Sequence, residues 1–255
     1  MTESKNVALL QGANVVAFLV TVLVNALANT SVLNGKTTGE ISDLYPTLVT
    51  PAGYVFSIWG FIYILLLVFV IFQVLPSQKE KAFQKEVGVL FVLSSVFNVT
   101  WLFLWQYEQI TSSVIAMFAL LATLIMIYLR LNIGKSSVSL REKLCVHLPF
   151  SVYLGWITVA SIANVAAALV SINWDGFGLS DVTWAVLVIV VALIITLLVV
   201  FTGRDVAYGL VIIWALAGIA VKQSGTQSIV TTAEISAVVV AVALVSAILI
   251  SRFRR

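Results

Sequence analysis

The chain has 255 residues, of which 61% are hydrophobic and only 10% charged, and its formal net charge is +3. A soluble domain averages roughly 45–50% apolar and about 25% charged residues, so this composition excludes an ordinary soluble fold and indicates an integral membrane protein. Because basic residues at the ends of membrane spans are expected for topology, the positive charge does not indicate a nucleic-acid partner.

Eight long apolar stretches follow one another, each close to the ~20 residues that a helix needs to cross a bilayer. The predicted spans are residues 8–32, 53–75, 88–106, 112–131, 146–170, 183–202, 206–222 and 232–251. The first stretch is predicted to be a retained helix rather than a cleaved signal peptide, because it is long and contains Asn14 and Asn25. We therefore predict an all-α integral membrane protein, an eight-helix transmembrane bundle.

The basic residues are distributed unevenly between the two sides of such a bundle. Twelve of the 14 fall on one side, which we call the basic side, and only Lys36 and Lys222 fall on the other. The residues of the basic side are Lys5, Lys79, Lys81, Lys85, Arg130, Lys135, Arg141, Lys143, Arg204, Arg252, Arg254 and Arg255. By the positive-inside rule, this distribution predicts a multi-pass protein of the cell membrane with both termini in the cytoplasm.

Ionisable residues give no positive sign of chemistry within the spans. All 11 acidic residues are predicted in loops or near helix ends, whereas ion-coupled transporters and proton pumps usually keep an ionisable group near the bilayer midplane. One histidine, His147, and one cysteine, Cys145, make neither a metal site nor a catalytic triad. We therefore predict a protein that is not an enzyme and that has no metal site and no resident cofactor.

The stretch YPTLVTPAGYVFSIWGFIY runs from a polar loop into the second span. Pro51 suits the start of a helix because its missing N–H would be unpaired there anyway. Trp59 and Tyr63 are four residues apart and so share one helical face, with Tyr54 and Phe56 just before them. Aromatic rings at such a position indicate either a membrane-interface belt or the mouth of a ligand cavity.

Two further spans carry aromatic and amide side chains on one face each. They are Asn98, Trp101 and Trp105 in the third span, and Trp156, Ala160 and Asn164 in the fifth. Taken singly, the asparagines are explained as contacts between helices and the tryptophans as core filling. Taken together, they favour an aromatic-walled pocket, since ligand pockets are mostly apolar with a few placed polar groups.

Three segments resemble, in order, the motifs of the TspO/MBR family of tryptophan-rich sensory and translocator proteins. PAGYVFSIWGFIY is similar to the start of its second helix, NVTWLFLWQ to its third helix, and PFSVYLGWITVASIANVAAALVSIN to its fifth. The resemblance covers roughly residues 8–173. It departs from the family at Ala52, where the second of two paired prolines is expected, and in the spacing from Phe56 to Trp59, which is one residue short.

The resemblance implies a five-helix bundle in residues 1–173 that holds a cavity open to the first loop, with three additional transmembrane helices in residues 174–255. It implies a flat hydrophobic ligand, a porphyrin (heme included), another tetrapyrrole or a sterol-like molecule, and leaves homodimerisation open. The implied binding residues are Tyr54, Phe56, Trp59, Tyr63, Asn98, Trp101, Trp105, Trp156, Ala160 and Asn164.

Three functions follow from these expectations. The first is a membrane sensor, receptor or transporter that binds the flat ligand against its tryptophans. The second is a permease for another small solute, in which the last three helices complete the path. The third, ranked lowest, is an enzyme that degrades a bound tetrapyrrole with the tryptophans as redox partners.

Overall fold

The computed structural model describes residues 2–253 and the side chains of residues 6–250. Lys5, Arg252, Arg254 and Arg255, which the sequence assigns to the basic side, have side chains outside that range. Within residues 2–253 every regular element is helical, and seven helices are long and apolar enough to cross a membrane. The prediction of an all-α multi-span membrane protein is therefore confirmed.

The helices are α1 (Thr2–Asn29), α2 (Thr38–Leu44), α3 (Ile58–Val74), α4 (Phe83–Gln106), α5 (Ile110–Arg130), α6 (Leu140–Glu142), α7 (Leu148–Ser171), α8 (Asp181–Gly203), α9 (Val206–Lys222) and α10 (Gln227–Phe253). A π-helical turn, Lys143–His147, joins α6 to α7, so that the fifth span is one apolar helix from Leu140 to Ser171. The seventh predicted stretch, α9, has 17 residues and is about 25 Å long, which is shorter than the seven helices that are long enough to span.

Several boundaries differ from those expected from hydrophobicity. α4 begins at Phe83 rather than 88, but its helical geometry is broken at Gly88 (φ 42°, ψ −132°), the position of the predicted start. α10 begins at Gln227 rather than 232, because the helix extends into polar sequence before the apolar run. The first loop contains α2, which was not predicted. Its cause is a capping box, in which Thr37 accepts from the Glu40 backbone N–H and the Glu40 side chain accepts from the Thr37 N–H.

Each long helix in the bundle packs against two or more others. α4 packs between α1 and α5, α5 packs on α7, and α7 also contacts α3 and α9. α10 packs on both α8 and α9, where Val200, Val240 and Leu244 form a small separate core. α7 thus contacts α3 and α5 and, through α9, connects them to the last three spans.

α1 is held to the bundle largely by amide side chains. Gln11 Nε2 donates to the Gln73 backbone oxygen at 2.5 Å, and Asn14 Nδ2 donates to the Gln73 side chain at 2.9 Å. Nearer the other end, Asn25 Nδ2 donates to Asn98 Oδ1 at 2.9 Å. All these side chains are buried, whereas the opposite face of α1 is aliphatic and exposed to lipid.

Asp205 joins the last three spans to α7. Its carboxylate accepts from Ser151 Oγ at 2.5 Å and from the Tyr208 backbone N–H at 3.1 Å, so it caps the start of α9. The backbone of α9 comes close to Gly155, where an added Cβ would lie 3.1 Å from Val211 Cβ. Asp205 lies at a helix end, as the sequence predicts, and the structure shows in addition that it is buried and forms an interhelical contact.

Candidate functional site

Four aromatic rings from α3 and α4 form a stacked series. Tyr63 stacks on Trp59 with ring centroids 5.7 Å apart, Trp59 on Trp101 at 6.0 Å, and Trp101 on Trp105 at 6.0 Å. The interplanar angles are 17°, 26° and 29°, within the offset-stacked arrangement that aromatic pairs favour. All three indoles are buried, so the series faces the interior of the bundle.

Trp156 of α7 closes one side of this series. Its ring meets Trp59 edge to face at 6.2 Å and Phe56 at 5.8 Å, both with an interplanar angle of 85°. Trp156 is 1% exposed, yet its indole N–H has no hydrogen-bond partner. A buried indole N–H usually finds an acceptor, so this donor is free to bind a ligand.

Asn164 fixes the orientation of the neighbouring indole. Trp101 Nε1 donates to Asn164 Oδ1 at 2.9 Å, and Asn164 Nδ2 donates to Ser113 Oγ at 2.9 Å. Asn164 is 2% exposed, and its partners come from α4 and α5. The amide is thus occupied by protein groups and acts as a support for Trp101.

Asn98 and Tyr63 lie further along their helices, away from the mouth, than the other predicted residues. Asn98 accepts from Asn25 and donates to the Tyr153 hydroxyl at 3.0 Å, so it connects α1, α4 and α7. The Tyr63 hydroxyl is buried and has no partner. Asn98 lies two helical turns, about 10 Å, below Trp105 on the same face of α4, which separates it from the cavity described next.

The cavity lies beside Trp156 and beneath α2. Its lining consists of Thr38, Ser42, Pro51, Phe56, Trp59, Trp101, Trp105, Trp156, Val159, Ala160, Ala163 and Asn164. The free space is about 30 Å³, which is room for a water molecule or two. The cavity in this arrangement has no room for a larger guest.

α2 is held over the cavity by contacts at its N-terminal end. Trp105 Nε1 donates to the Thr38 carbonyl at 3.1 Å, which links the stacked rings directly to α2, the cover of the cavity. Gln106 Nε2 donates to the Lys36 carbonyl at 2.9 Å. The Thr38 hydroxyl is buried without a partner and lines the cavity, so it is a second group free to contact a ligand.

An ion pair at the surface adds to these contacts. Lys36 Nζ lies 2.9 Å from Glu108 Oε1, and the Tyr45 hydroxyl donates to the same carboxylate at 3.2 Å. The hydrogen bond from Lys36 lowers the pKa of Glu108, while burial and the nearby carboxylate raise the pKa of Tyr45. Both partners of the ion pair are well exposed, so it contributes little to stability but helps to position the loop.

α9 holds the other side of the cavity mouth. The Ala52 N–H donates to the Gly218 carbonyl at 3.1 Å, and Trp214 Nε1 donates to the Val55 carbonyl at 3.3 Å. Gly218 permits this approach, because an added Cβ would overlap the Val55 side chain and lie 3.1 Å from Pro51 Cβ. The segment that the sequence placed at the mouth is therefore packed against a helix of the last three spans.

The predicted residues divide into two groups by position. Phe56, Trp59, Trp101, Trp105, Trp156, Ala160 and Asn164 line the cavity. Tyr54, Tyr63 and Asn98 do not; Tyr54 is 48% exposed and meets Trp214 edge to face at 5.4 Å.

Sequence reasoning did not identify Thr38 and Ser42 as lining residues. Both belong to α2, for which the capping box between Thr37 and Glu40 was an available signal.

The site offers no arrangement for metal chemistry among the described residues. No group of three or more histidine, cysteine, aspartate or glutamate side chains is close enough to hold a metal ion within that part of the chain. The cavity lining contains no ionisable side chain. What the site provides is aromatic surface with two free donors.

These features define a multi-span helical membrane protein whose second, third and fifth spans enclose an aromatic site. The chain belongs to the TSPO-like protein family, whose sequence model matches residues 11–248. The match extends through α8 and α9 into α10, beyond the residues covered by the three motifs. No curated protein and no solved structure matches the chain. Family and fold fit a membrane sensor or transporter, and proteins of this family are generally not enzymes.

Proposed function

We propose that the protein binds a flat hydrophobic ligand, a tetrapyrrole or a sterol-like molecule, in the aromatic cavity and acts as a sensor or transporter. The observation that carries this proposal is Trp156, whose buried indole N–H lacks an acceptor beside a wall of stacked rings. Each aromatic contact with a ligand contributes roughly 0.5–1.5 kcal/mol beyond area burial, so three or four rings supply useful affinity.

Binding requires α2 to move, because the closed cavity has free space of only about 30 Å³. The polar contacts that hold α2 are a few hydrogen bonds and two surface ion pairs, Lys36–Glu108 and Lys222–Asp43, which open at low free-energy cost. Opening must also expose Ile41, a fully buried residue of α2, and this is the larger part of its cost. The ligand then replaces the cover as the partner of the indoles. In this proposal residues 1–173 hold the ligand and residues 174–255 brace the mouth.

The neutral lining restricts how a porphyrin could bind. A carboxylate buried without a partner is costly, so propionate groups stay at the mouth, where Lys36 and Lys222 lie, while the ring enters. A sterol-like molecule needs only its one polar group at a free donor. A porphyrin and its methyl ester should therefore bind comparably in the cavity, with the free acid favoured only through the lysines.

The test is quenching of tryptophan fluorescence by added porphyrin in nanodiscs. Trp156→Phe removes the unpaired donor and keeps an aromatic ring, and we expect the Kd to rise roughly two- to tenfold. The matched control is Trp174→Phe, since Trp174 packs on Phe177 and Trp184 outside the cavity. Absence of saturable quenching, or equal affinities of the two variants, would contradict the proposal. Uptake into sealed vesicles separates transport from sensing.

A further inference from the structure

A second concave surface lies on the lipid-facing side of the bundle, between α3 and α9, with α7 as its floor. Its lining is Ser57, Ile58, Phe61, Leu148, Val152, Ala207, Leu210, Val211 and Trp214. The groove has a volume of about 380 Å³, within the range of roughly 300–1,000 Å³ of small-molecule sites. It is separate from the aromatic cavity and shares no lining residue with it.

The two ends of the groove differ, because Trp214 lies at one and the smaller side chains of Leu148 and Ala207 lie at the other, which we call the open end. Trp214 closes the end near the cavity mouth, where its ring meets Tyr54 edge to face at 5.4 Å and its N–H is bound to the Val55 carbonyl. Leu148 and Ala207 form the other end, at the start of α7 and α9. From Ala207 to Trp214 the groove follows eight residues of α9, about 10 Å of helix.

The open end lies on the basic side of the bundle. Lys143 precedes Leu148 in the π-helical turn, and Arg204 lies three residues before Ala207. Both cations are exposed, and neither forms an ion pair with another described residue. The nearby Asp205 does not compensate them directly, since its carboxylate turns inward to Ser151.

We propose that the groove binds one acyl chain of an anionic phospholipid whose headgroup contacts Lys143 and Arg204. An apolar channel that leads to two cations complements a molecule with an apolar tail and a negative head, and basic pockets between spans bind such headgroups. The site depends on α9 and does not depend on the ligand proposed for the aromatic cavity.

The experiment is native mass spectrometry of the full chain released from nanodiscs of equal parts phosphatidylcholine and phosphatidylglycerol. We expect the protein to retain one phosphatidylglycerol in preference to phosphatidylcholine. The double variant Lys143→Gln, Arg204→Gln should reduce that preference by about fivefold for each removed cation. The control is Lys79→Gln, Lys81→Gln, which removes the same charge from exposed residues on the same side, in the loop between α3 and α4 that contacts Gln84.

A second pair of variants tests the groove itself. Ala207→Phe fills its open end and should lower retention of both lipids, whereas Ala241→Phe adds the same ring on an exposed face of α10 and should leave retention unchanged. Equal lipid preference in the two charge variants would overturn the assignment of the headgroup site. Full retention in a folded Ala207→Phe protein would overturn the acyl-chain site. If the Ala207→Phe variant does not fold, the charge variants decide whether the lipid binds here, because they change exposed residues only.

Discussion

Replacing Gly218 by alanine should disturb the contact between α9 and the cavity mouth. The new methyl group would overlap Val55 Cγ2 and lie 3.1 Å from Pro51 Cβ, so both must move out to at least 3.4 Å for ordinary contact. α9 cannot simply shift away, because the Gly218 carbonyl accepts from the Ala52 N–H at 3.1 Å. The mouth segment is therefore expected to loosen.

The size of the effect follows from two opposing contributions. Alanine is favoured over glycine in a helix by about 0.8–1.0 kcal/mol, whereas overpacking costs about 1–3 kcal/mol. Gly60→Ala is the matched control, because Gly60 lies in α3 with no atom within 4 Å of an added Cβ. The difference in unfolding free energy between the two variants isolates the overlap, and we expect it to be about 1–3 kcal/mol.

The assay is unfolding in detergent followed by tryptophan fluorescence, together with amide hydrogen exchange at Ala52, which should become faster. Adding Val55→Ala removes the methyl group that meets the new one, so the double variant should recover part of the loss as a coupling energy. Equal stabilities of Gly218→Ala and Gly60→Ala, with unchanged exchange at Ala52, would refute the reasoning.

Three other outcomes are expected. Asn164→Leu leaves the Trp101 N–H unpaired and should destabilise the protein by about 0.6–1.7 kcal/mol in unfolding assays, and wild-type stability would contradict the proposed support. Asp205→Ala, which removes the α9 cap and the partner of Ser151, should lower stability by about 1–3 kcal/mol and increase proteolysis between α8 and α9. The Glu108 ion pair has a lowered carboxylate pKa, so its contribution persists above the ordinary value of 4.5 and is lost as pH falls below it. The rate of porphyrin association should thus be constant from neutral pH to about 5 and rise in more acidic buffer, while a flat profile would show that the pair does not hold the cover.

The convergence of the tryptophans could be predicted from sequence because helical periodicity fixes angular position. Trp101 and Asn164 were each assigned to an inward face, and they meet in a hydrogen bond across 63 residues. Depth is harder to predict, since it depends on how far each helix is displaced along its axis. Asn98 shares a face with Trp105 and yet lies below the cavity.

Tyr54 illustrates a different difficulty. It lies in a 3₁₀ turn, Gly53–Ser57, where residues advance by three per turn rather than 3.6, so the helical phase read from Trp59 does not apply to it. Its ring meets Trp214, which follows it by 160 residues. A contact between spans so distant along the chain has no signal in a single sequence.

The amide stripe of α1 has a consequence for how the chain enters the membrane. Gln11, Asn14 and Asn25 obtain their partners from Gln73 and Asn98, which are synthesised 59 or more residues later. Until those partners arrive, the first helix exposes several amides that hydrocarbon cannot hydrogen-bond, so it is poorly retained in lipid alone. Its integration should be completed only when the second and third spans leave the ribosome and dock beside it.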